Sequence, residues 1–334
     1  MLAFPPSDVI QAKDALGRAS SDLQKQRKYT VVSLFSGCGG MDLGFKGGFI
    51  YNKKRFKKLP FEIIWANEIN KAACNTYRKN IGSHIVEGDI WENINKTPEY
   101  ADVVIGGFPC QDISVNGKGA GIKGKKSSLY RAMVEVIARQ KPKIFVAENV
   151  KGLLMKHHRN ALEQVLKDFS QLGYDVTYHL YHSADYGVAQ TRERVMIIGT
   201  RNNVSPFSVP PPILTPEKYV TAFDILDDLS LIDENPNINH IWSRASRSPE
   251  QGDRRLLAER PGYTMRAECH GNIHWHYSQP RRISMREAAR IQSFPDNFIF
   301  HSGLREMERQ IGNAVPPVLA WHVAKAVLRS LEEN

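Results

Sequence analysis

The sequence predicts an α/β protein whose main domain is a doubly wound, mostly parallel sheet, followed by a smaller irregular domain. Two observations lead to this fold class. Short apolar runs recur between residues 29 and 200, and stretches with helical periodicity separate them. Such runs are typical of strands buried on both faces, and their alternation with helices is typical of a parallel sheet. After Arg201 prolines become frequent and the alternation ends, which indicates a domain boundary.

The apolar runs that we expect to be strands are 29–37, 61–68, 83–90, 101–109, 143–150 and 193–200. The stretches between them with helical spacing are 70–80, 127–140 and 159–173. Helical periodicity returns at 284–294 and at 315–333. Because ligands of doubly wound domains bind at the carboxyl ends of the strands, the residues that follow each strand are the candidates for a functional site.

Composition restricts the class of protein. The chain has 334 residues, of which 42% are hydrophobic and 24% charged, and its net charge of +10 favours a polyanion such as nucleic acid as partner. Its four cysteines show no CxxC spacing, so reduced thiols in a cytoplasmic protein are expected. We expect no membrane contact, because no apolar run approaches the ~20 residues of a spanning helix and the N-terminus lacks the pattern of a signal peptide.

A glycine-rich turn, FSGCGGMDLGF at 35–45, follows the first predicted strand. Gly37, Gly39 and Gly40 would let a ligand approach the backbone closely where a strand leads into a helix. The spacing differs from the dinucleotide-binding G-x-G-x-x-G, because Asp42 occupies the position of the third glycine. This departure argues against a pyrophosphate cofactor and favours another ligand that contains adenosine.

Acidic residues end the second and third predicted strands. Glu68 lies where an acid binds ribose hydroxyls in this class of fold, and Asp89 lies at the same edge. A single acid at such a position can also serve only as a helix cap. A glycine turn and two acids at three successive strand ends favour a nucleoside pocket. The basic insertion at 46–60 between the first two strands is most simply a solvated loop, with contact to a DNA backbone as the alternative.

Nucleophilic and charged residues follow the later strands. The fourth ends in GGFPCQDIS with Cys110, and the fifth ends in ENV with Glu148. Free cysteine is often simply buried, so a structural Cys110 is the competing interpretation. In QTRERV, Arg192 and Arg194 are two apart and would share a face, although one of them could instead pair with Glu193. A thiol, a carboxyl group and two guanidiniums beside a nucleoside pocket suit nucleophilic attack on an electron-poor ring.

These motifs resemble those of the DNA (cytosine-5)-methyltransferases of bacterial restriction–modification systems. They occur in the family's order as FSGCGGMDLGF, EGDI, GGFPCQDIS, ENV, QTRERV, RRISMREAARIQSFPDNF and GNAVPP. The Pro-Cys-Gln, Glu-Asn-Val and Gln-x-Arg-x-Arg motifs are highly specific together, and they favour a catalytic Cys110. The resemblance implies a Rossmann-like fold that uses S-adenosylmethionine and methylates carbon 5 of cytosine in a specific duplex DNA sequence.

The resemblance also implies a role for each reactive residue. Cys110 would add to carbon 6 of the cytosine, as a thiolate favoured by the neighbouring arginines. Glu148 would protonate or hydrogen-bond ring nitrogen 3, Arg194 would steady the carbonyl oxygen of the base, and Arg192 would steady the surrounding site. The target cytosine would have to be flipped out of the duplex.

For the cofactor, the resemblance implies that Phe35 lies against the adenine, with Glu68 on the ribose and Asp89 on the adenine amino group. The whole implied set is Phe35, Gly37, Cys38, Gly39, Gly40, Glu68, Ile69, Asp89, Ile90, Pro109, Leu129, Asn313 and Val315. Asn313 and Val315 would close the methionine side, which implies that the C-terminal helix returns to the first domain. The sequence departs from the family at Ile69, where an aromatic residue is common.

For DNA, the glycine- and lysine-rich segment 114–128 is expected to close over the flipped base, with a plain flexible linker as the alternative. The implied DNA-binding residues are Gln111, Ser114, Asn116, Lys118, Arg266, Asn272 and His274. The cluster CHGNIHWHY at 269–277 could suggest zinc, but a second ligand pair of the usual spacing is missing, so no metal is expected.

The predicted organisation is an N-terminal extension at 1–28, a catalytic and cofactor-binding domain at 29–201 completed by 303–334, and a target-recognition domain and hinge at 202–302. The expected partners are double-stranded DNA and, functionally, a cognate restriction endonuclease, with a monomeric chain. An RNA cytosine methyltransferase of the same fold and a catalytically inactive, sequence-specific DNA-binding protein are the alternatives. A nicotinamide oxidoreductase is disfavoured by Asp42.

Overall fold

A seven-stranded sheet forms the centre of the computed structural model, which describes residues 27–108, 129–244, 254–267 and 274–333. The described strands are β1 (Tyr29–Leu34), β2 (Phe49–Tyr51), β3 (Lys54–Phe56), β4 (Phe61–Glu68), β5 (Ile85–Glu87), β6 (Val103–Gly107), β7 (Ile144–Val150), β8 (Tyr174–His182) and β9 (Glu193–Arg201). The sheet order is β5-β4-β1-β6-β7-β9-β8. The first five of these strands pair in parallel, whereas β9 is antiparallel to both of its neighbours. The predicted mostly parallel sheet is therefore confirmed.

Helices cover both faces of the sheet. They are α1 (Gly40–Lys46), α2 (Lys71–Asn80), α3 (Ile90–Asn93), α4 (Leu129–Gln140), α5 (Arg159–Ser170), α6 (Ala222–Leu226), α7 (Met285–Ile291), α8 (Leu304–Asn313) and α9 (Pro317–Glu332). Successive residues of a strand point to opposite faces, so Val31 joins the core beneath α1, α2 and α9, whereas Val32 joins the core beneath α4 and α5. This arrangement is the double winding that the alternating sequence pattern predicts.

The edge strand β8 is absent from the prediction. Its nine residues, YDVTYHLYH, are mostly exposed or half-buried and contain no continuous apolar run. An antiparallel strand at the edge of a sheet can keep one face in water, so its sequence lacks the pattern of the buried parallel strands. The continuous apolar runs that identify β1, β4 and β7 in the sequence therefore could not identify β8.

The insertion at 46–60 forms the β2–β3 hairpin and not the predicted loop, although its basic run at 53–58 is mostly exposed to solvent, as predicted. Phe49 and Phe56 stack across the two strands with their ring centroids 4.9 Å apart. The indole of Trp321 on α9 donates to the carbonyl of Lys57 at 2.9 Å. The hairpin lies between the end of α1 and the start of β4, at the edge of the sheet opposite the carboxyl ends of the strands.

Beyond β9 the described chain has little regular structure before α7. It contains α6, short 3-10 turns and isolated bridges such as Gln190 with Gly262. The C-terminal helix α9 lies directly on α1, so closely that a Cβ atom added at Gly44 would be 2.4 Å from Cβ of Ala320. This contact supports the expected return of the C-terminal segment to the first domain. Within the described residues, none of the helices is long and apolar enough to cross a membrane.

A buried carboxylate on α1 makes the stability of the fold depend on pH. Oδ1 of Asp42 accepts a hydrogen bond from the Tyr77 hydroxyl at 2.7 Å, whereas Oδ2 has no partner among the described residues. Burial raises the pKa of Asp42 to about 6, although the bond from Tyr77 opposes that shift. Between the unfolded pKa of 3.8 and about 6, the folded chain holds a proton that the unfolded chain has lost. The contribution of Asp42 to stability therefore decreases as pH rises through this window.

We expect Asp42→Asn to remove this pH dependence, because the amide keeps an acceptor for Tyr77 without the buried charge. The variant should gain stability relative to wild type as pH rises from 4 to 7, by about 2–3 kcal/mol in the limit of the full shift. Denaturant unfolding of both proteins across this range would measure the difference. A difference that stays constant with pH would mean that Asp42 titrates normally.

Candidate active site

A pocket of about 390 Å³ opens at the carboxyl ends of the parallel strands, a size typical of small-molecule sites. The predicted residues that line it are Phe35, Gly37, Cys38, Gly40, Glu68, Ile69, Asp89, Ile90, Leu129, Glu148, Arg192, Arg194, Asn313 and Val315. They come from the ends of β1, β4, β5 and β7, from the start of β9, from the first residue of α4, and from α8 with the turn after it. Pro109 and Cys110 lie outside the described residues. The structure thus brings distant predicted residues to one cavity.

The turn after β1 forms one wall of the pocket. Phe35 and Gly37 adopt left-handed backbone conformations, with φ of 54° and 56°. A Cβ atom added at Gly37 would meet nothing within 4 Å, so this glycine faces open space. Its N–H donates to Oε2 of Glu68 at 2.9 Å, which joins the end of β1 to the end of β4. A glycine here satisfies the backbone conformation and leaves room for a ligand.

The other two glycines of this turn serve contacts within the protein. Gly39, which was predicted to bind the cofactor, is not among the residues that line the pocket, and an added Cβ would lie 2.8 Å from the Ile81 side chain. Gly40 does line the pocket, but an added Cβ there would lie 2.5 Å from the carbonyl oxygen of Val315. These glycines let α1 approach the helix α2 and the turn after α8, and this brings the C-terminal segment to the cavity.

The two predicted acids make backbone contacts of their own. Glu68 accepts from the N–H of Gly37 and, at 2.7 Å, from that of Asn70. Burial raises the pKa of Glu68, and these N–H donors oppose that shift. Asp89 caps α3 by accepting from the N–H of Trp91 at 2.8 Å, so a helix cap is one of the roles of this residue. A carboxylate has about four acceptor positions, so both acids keep capacity for ligand hydroxyl or amino groups.

Glu148 and Arg194 form a buried ion pair at the other end of the pocket. Nε of Arg194 lies 2.7 Å from Oε1 of Glu148, and both side chains are almost wholly buried. Burial lowers the pKa of Arg194, and the neighbouring carboxylate opposes the shift. Gly107 pairs with Glu148 across β6 and β7, and a Cβ added at Gly107 would lie 2.6 Å from Oε2 of Glu148. Glycine at 107 therefore leaves the space that this carboxyl group occupies.

Asn149 holds the chain just before the predicted nucleophile. Its amide Nδ2 donates to the carbonyl of Phe108 at 3.0 Å, and its Oδ1 accepts from the N–H of Val150. Phe108 is the last described residue before Pro109 and Cys110. The motif ENV therefore supplies a carboxyl group from Glu148 and a backbone anchor from Asn149. Sequence analysis assigned a role to Glu148 but missed this one.

Arg192 joins three segments of the chain. It is 1% exposed, and its guanidinium donates to the carbonyls of Met265 at 2.6 Å and Gly312 at 2.8 Å. Burial lowers the pKa of Arg192, and the charge of Arg194 adds to the shift. The two arginines both line the pocket, as their spacing predicts. The two terminal nitrogens of Arg192 thus bind backbone carbonyls of two distant segments, so this residue orders the walls of the pocket.

Two buried glutamines extend this connection. Gln190 donates from Nε2 to Oε1 of Gln292 at 2.5 Å and accepts from the N–H of Met265 at 2.9 Å. Gln292 in turn donates to the carbonyl of Ala314 at 2.5 Å. Fully paired buried networks of this kind fix one arrangement of the segments they connect. Both glutamines lie in quoted motifs, Gln190 in QTRERV and Gln292 in RRISMREAARIQSFPDNF, but the sequence did not indicate that they bond to each other.

Of the predicted DNA-binding residues, the structure describes Arg266 and His274. Arg266 is exposed and directly follows Met265, whose backbone is held by Arg192 and Gln190. His274 is only 6% exposed, and its ring centroid lies 5.3 Å from that of Tyr263. Burial lowers the pKa of His274 to about 4, so the ring is neutral and is not presented to a groove in this structure. Its predicted role in reading bases therefore does not fit its position.

The remaining predicted DNA-binding residues lie outside the described part of the chain. They are Gln111, Ser114, Asn116, Lys118 and Asn272. Cys269 and His270, which raised the possibility of zinc, lie there as well. Among the residues that the structure describes, no group of three His, Cys, Asp or Glu side chains could hold a metal ion.

Comparison with known proteins identifies the family. The C-5 cytosine-specific DNA methylase family matches residues 29–252 and 241–329. The Type II methyltransferase M.NgoFVII of Neisseria gonorrhoeae is 37% identical over 342 residues, which cover 92% of this chain and 88% of the relative. M.FnuDI of Fusobacterium nucleatum, also a Type II methyltransferase, is 35% identical over 340 residues, with 91% and 95% of the two chains covered.

The solved structure of the S. pombe Dnmt2 methyltransferase has the same fold. It superposes with a TM-score of 0.67 at 17% identity, over 90% of this chain and 99% of that one. The sequence match covers most of the chain, and the pocket, the Glu148–Arg194 pair and the C-terminal turn all lie within it. The chain therefore belongs to the C-5 cytosine-specific DNA methylases and is a DNA (cytosine-5)-methyltransferase of the bacterial restriction–modification type.

Proposed function

We propose that this enzyme methylates a flipped-out cytosine within a specific short duplex DNA sequence, with S-adenosylmethionine as methyl donor and a covalent adduct to Cys110. The observation that carries the proposal is the cavity that joins the Glu68 and Asp89 end to the Glu148–Arg194 pair. A donor at the first end and a base at the second would meet beside Phe108, from which the chain leads to Cys110.

In this proposal Cys110 adds as a thiolate to carbon 6 of the cytosine and breaks its aromaticity. The electron pair of the opened double bond then makes carbon 5 an enamine carbon. Glu148 supports the addition by giving a proton or a hydrogen bond to ring nitrogen 3, and Arg194 stabilises the charge at the base. Once carbon 5 carries a methyl group, a base removes the proton from carbon 5. The Cys110 thiolate is then eliminated from carbon 6.

The described residues fit S-adenosylmethionine, which supplies an electrophilic methyl group when bound. The open face at Gly37 leaves space beside the backbone, and the Glu68 carboxylate keeps acceptor positions for two ribose hydroxyls. Asp89 keeps a carboxylate oxygen for an amino group. Ile69 is 69% exposed at the wall of the pocket, and an apolar side chain left in water there can cover one face of an adenine.

We further propose that residues 202–302 read the bases around the target, and that 303–334 complete the catalytic domain. Arg192 ties Met265 to Gly312 and so anchors the segment that presents Arg266. Arginine is well suited to guanine edges in the major groove and to phosphates. A site that reacts with a single cytosine needs such a separate surface for sequence specificity. The biological role we propose is protection of host DNA, by a monomer, against a cognate restriction endonuclease.

Bisulfite sequencing of plasmid DNA from cells that express the protein tests the proposal. We expect cytosines in one short sequence to be protected from conversion, and cytosines elsewhere to be converted as in cells without the protein. Methylation of transfer RNA with no protected plasmid sequence would instead support the alternative RNA substrate. Scattered protection without a common sequence would contradict sequence-specific methylation.

Bisulfite sequencing with a chimeric protein tests whether the target sequence is read outside the catalytic domain. Residues 202–280 are replaced by the matching segment of a Type II relative that has a different target. We expect methylation at the relative's sequence, because the residues proposed for chemistry are unchanged. An active chimera that still methylates the original sequence would show that the catalytic domain reads the flanking bases.

A further inference from the structure

The pocket wall contains a cation to which the resemblance assigns no role. Within the described chain, the arginines that line the pocket are Arg192, Arg194 and Arg309. Arg192 is held by two backbone carbonyls and Arg194 is paired with Glu148. Arg309 lies on α8, one turn before Asn313, so both side chains are on the same face of that helix. Arg309 therefore lies on the side of the cavity that is closed by the turn after α8.

The Arg309 guanidinium is held only weakly by its protein contacts. Its side chain is 47% exposed, and Nη1 lies 3.4 Å from Oε1 of Glu306 on the same helix. The other oxygen of that carboxylate, Oε2, accepts from Nδ2 of Asn70 at 3.0 Å. An exposed pair at this separation contributes little to stability. The five donors of the guanidinium are therefore largely available to a ligand in the pocket.

The charges around the cavity select the kind of ligand group that Arg309 would bind. Glu68 and Asp89 lie at the end suited to a nucleoside, and Glu148 is paired at the catalytic end. A planar guanidinium binds carboxylates with paired, charge-assisted hydrogen bonds. The proposed methyl donor has one carboxylate, on its amino-acid part, and this anionic group needs a cationic partner.

We propose that Arg309 binds the carboxylate of the methyl donor, and so selects a donor with an intact amino-acid end. The inference rests on the proposed use of S-adenosylmethionine. Bound there, the carboxylate would replace Glu306 as the partner of Arg309, while Glu306 keeps its bond to Asn70. Arg309 is thus a binding residue for the donor and takes no part in proton transfer.

Equilibrium binding of two ligands to the full-length protein tests this role. S-adenosylmethionine has the carboxylate, and decarboxylated S-adenosylmethionine lacks only that group. We expect Arg309→Ala to raise the dissociation constant for S-adenosylmethionine about fivefold to tenfold, the loss of one partly exposed charge-assisted contact. Binding of the decarboxylated ligand should stay within about twofold of wild type. Arg309→Lys, which keeps the charge, should fall between wild type and alanine.

Arg305→Ala is the matched control. Arg305 is an exposed arginine on the same helix that does not line the pocket, so its loss changes the net charge equally. We expect it to leave both dissociation constants unchanged. Equal losses for the two ligands in Arg309→Ala, or an equal effect from Arg305→Ala, would overturn the proposed carboxylate contact. If the wild-type protein itself binds neither ligand, the proposed cofactor is wrong, and the proposed role of Arg309 is then wrong as well.

Discussion

Replacing Cys110 with serine is expected to abolish methyl transfer. The attacking group must be an anion, and a serine hydroxyl, whose pKa is far above that of a thiol, does not supply one at neutral pH. S-adenosylmethionine should still bind, because its proposed contacts are made by the turns after β1 and β4 and by the C-terminal turn. The measurement is transfer of a labelled methyl group to duplex DNA, alongside equilibrium binding of the donor.

DNA that carries 5-fluorocytosine at the target supplies the control for Cys110→Ser. The wild type should become covalently trapped on this DNA, since fluorine cannot leave carbon 5 as a proton does. The serine variant should form no adduct that survives denaturation. An adduct formed equally by both proteins would assign the nucleophile to another residue, and Cys110 would return to the structural interpretation.

Replacing Glu148 with glutamine is expected to lower the turnover rate by about 10²- to 10⁴-fold. The amide retains the shape of the side chain in the space left by Gly107 and can accept from Arg194, so the pocket should keep its form. It cannot give a proton to ring nitrogen 3, and carbon 6 then stays a poor electrophile. Single-turnover methylation at saturating DNA would report the loss, with donor binding little changed.

Glu193→Gln is a matched comparison for Glu148→Gln. Glu193 neighbours Arg194 in the chain, but its carboxylate pairs with Lys151 at 2.8 Å and does not line the pocket. Removing this charge should leave the turnover rate close to that of wild type. If Glu148→Gln also keeps a near wild-type rate, Glu148 acts only as the buried partner of Arg194, and another group must activate the base.

The residues proposed for the reactive centre could be named because their signals are local in sequence. Cys110 directly follows an apolar run and Glu148 lies near the end of another, and parallel strands bring their carboxyl ends to one edge. Arg194 opens the run of β9, whose antiparallel direction brings the start of that strand to the same edge. The mostly parallel sheet followed from the same runs. In β1, β4 and β7 the buried residues are consecutive in sequence, so a short stretch of sequence was enough to predict each strand.

Other features depend on contacts between distant parts of the chain. The edge strand β8 and the hairpin at 49–56 lack continuous apolar runs, and they are ordered by a neighbouring strand or by Trp321 of α9. The same limit applies to Gln292, whose bond to Gln190 spans a hundred residues, and to the burial of His274. The residue type determines which hydrogen bonds a side chain can make. Which partner it bonds to, and how deeply it is buried, depend on the packing of distant parts of the chain. Periodicity therefore determined the class of fold and the local motifs determined which reacting groups to propose, whereas the tertiary structure alone decided which polar side chains join the walls of the site.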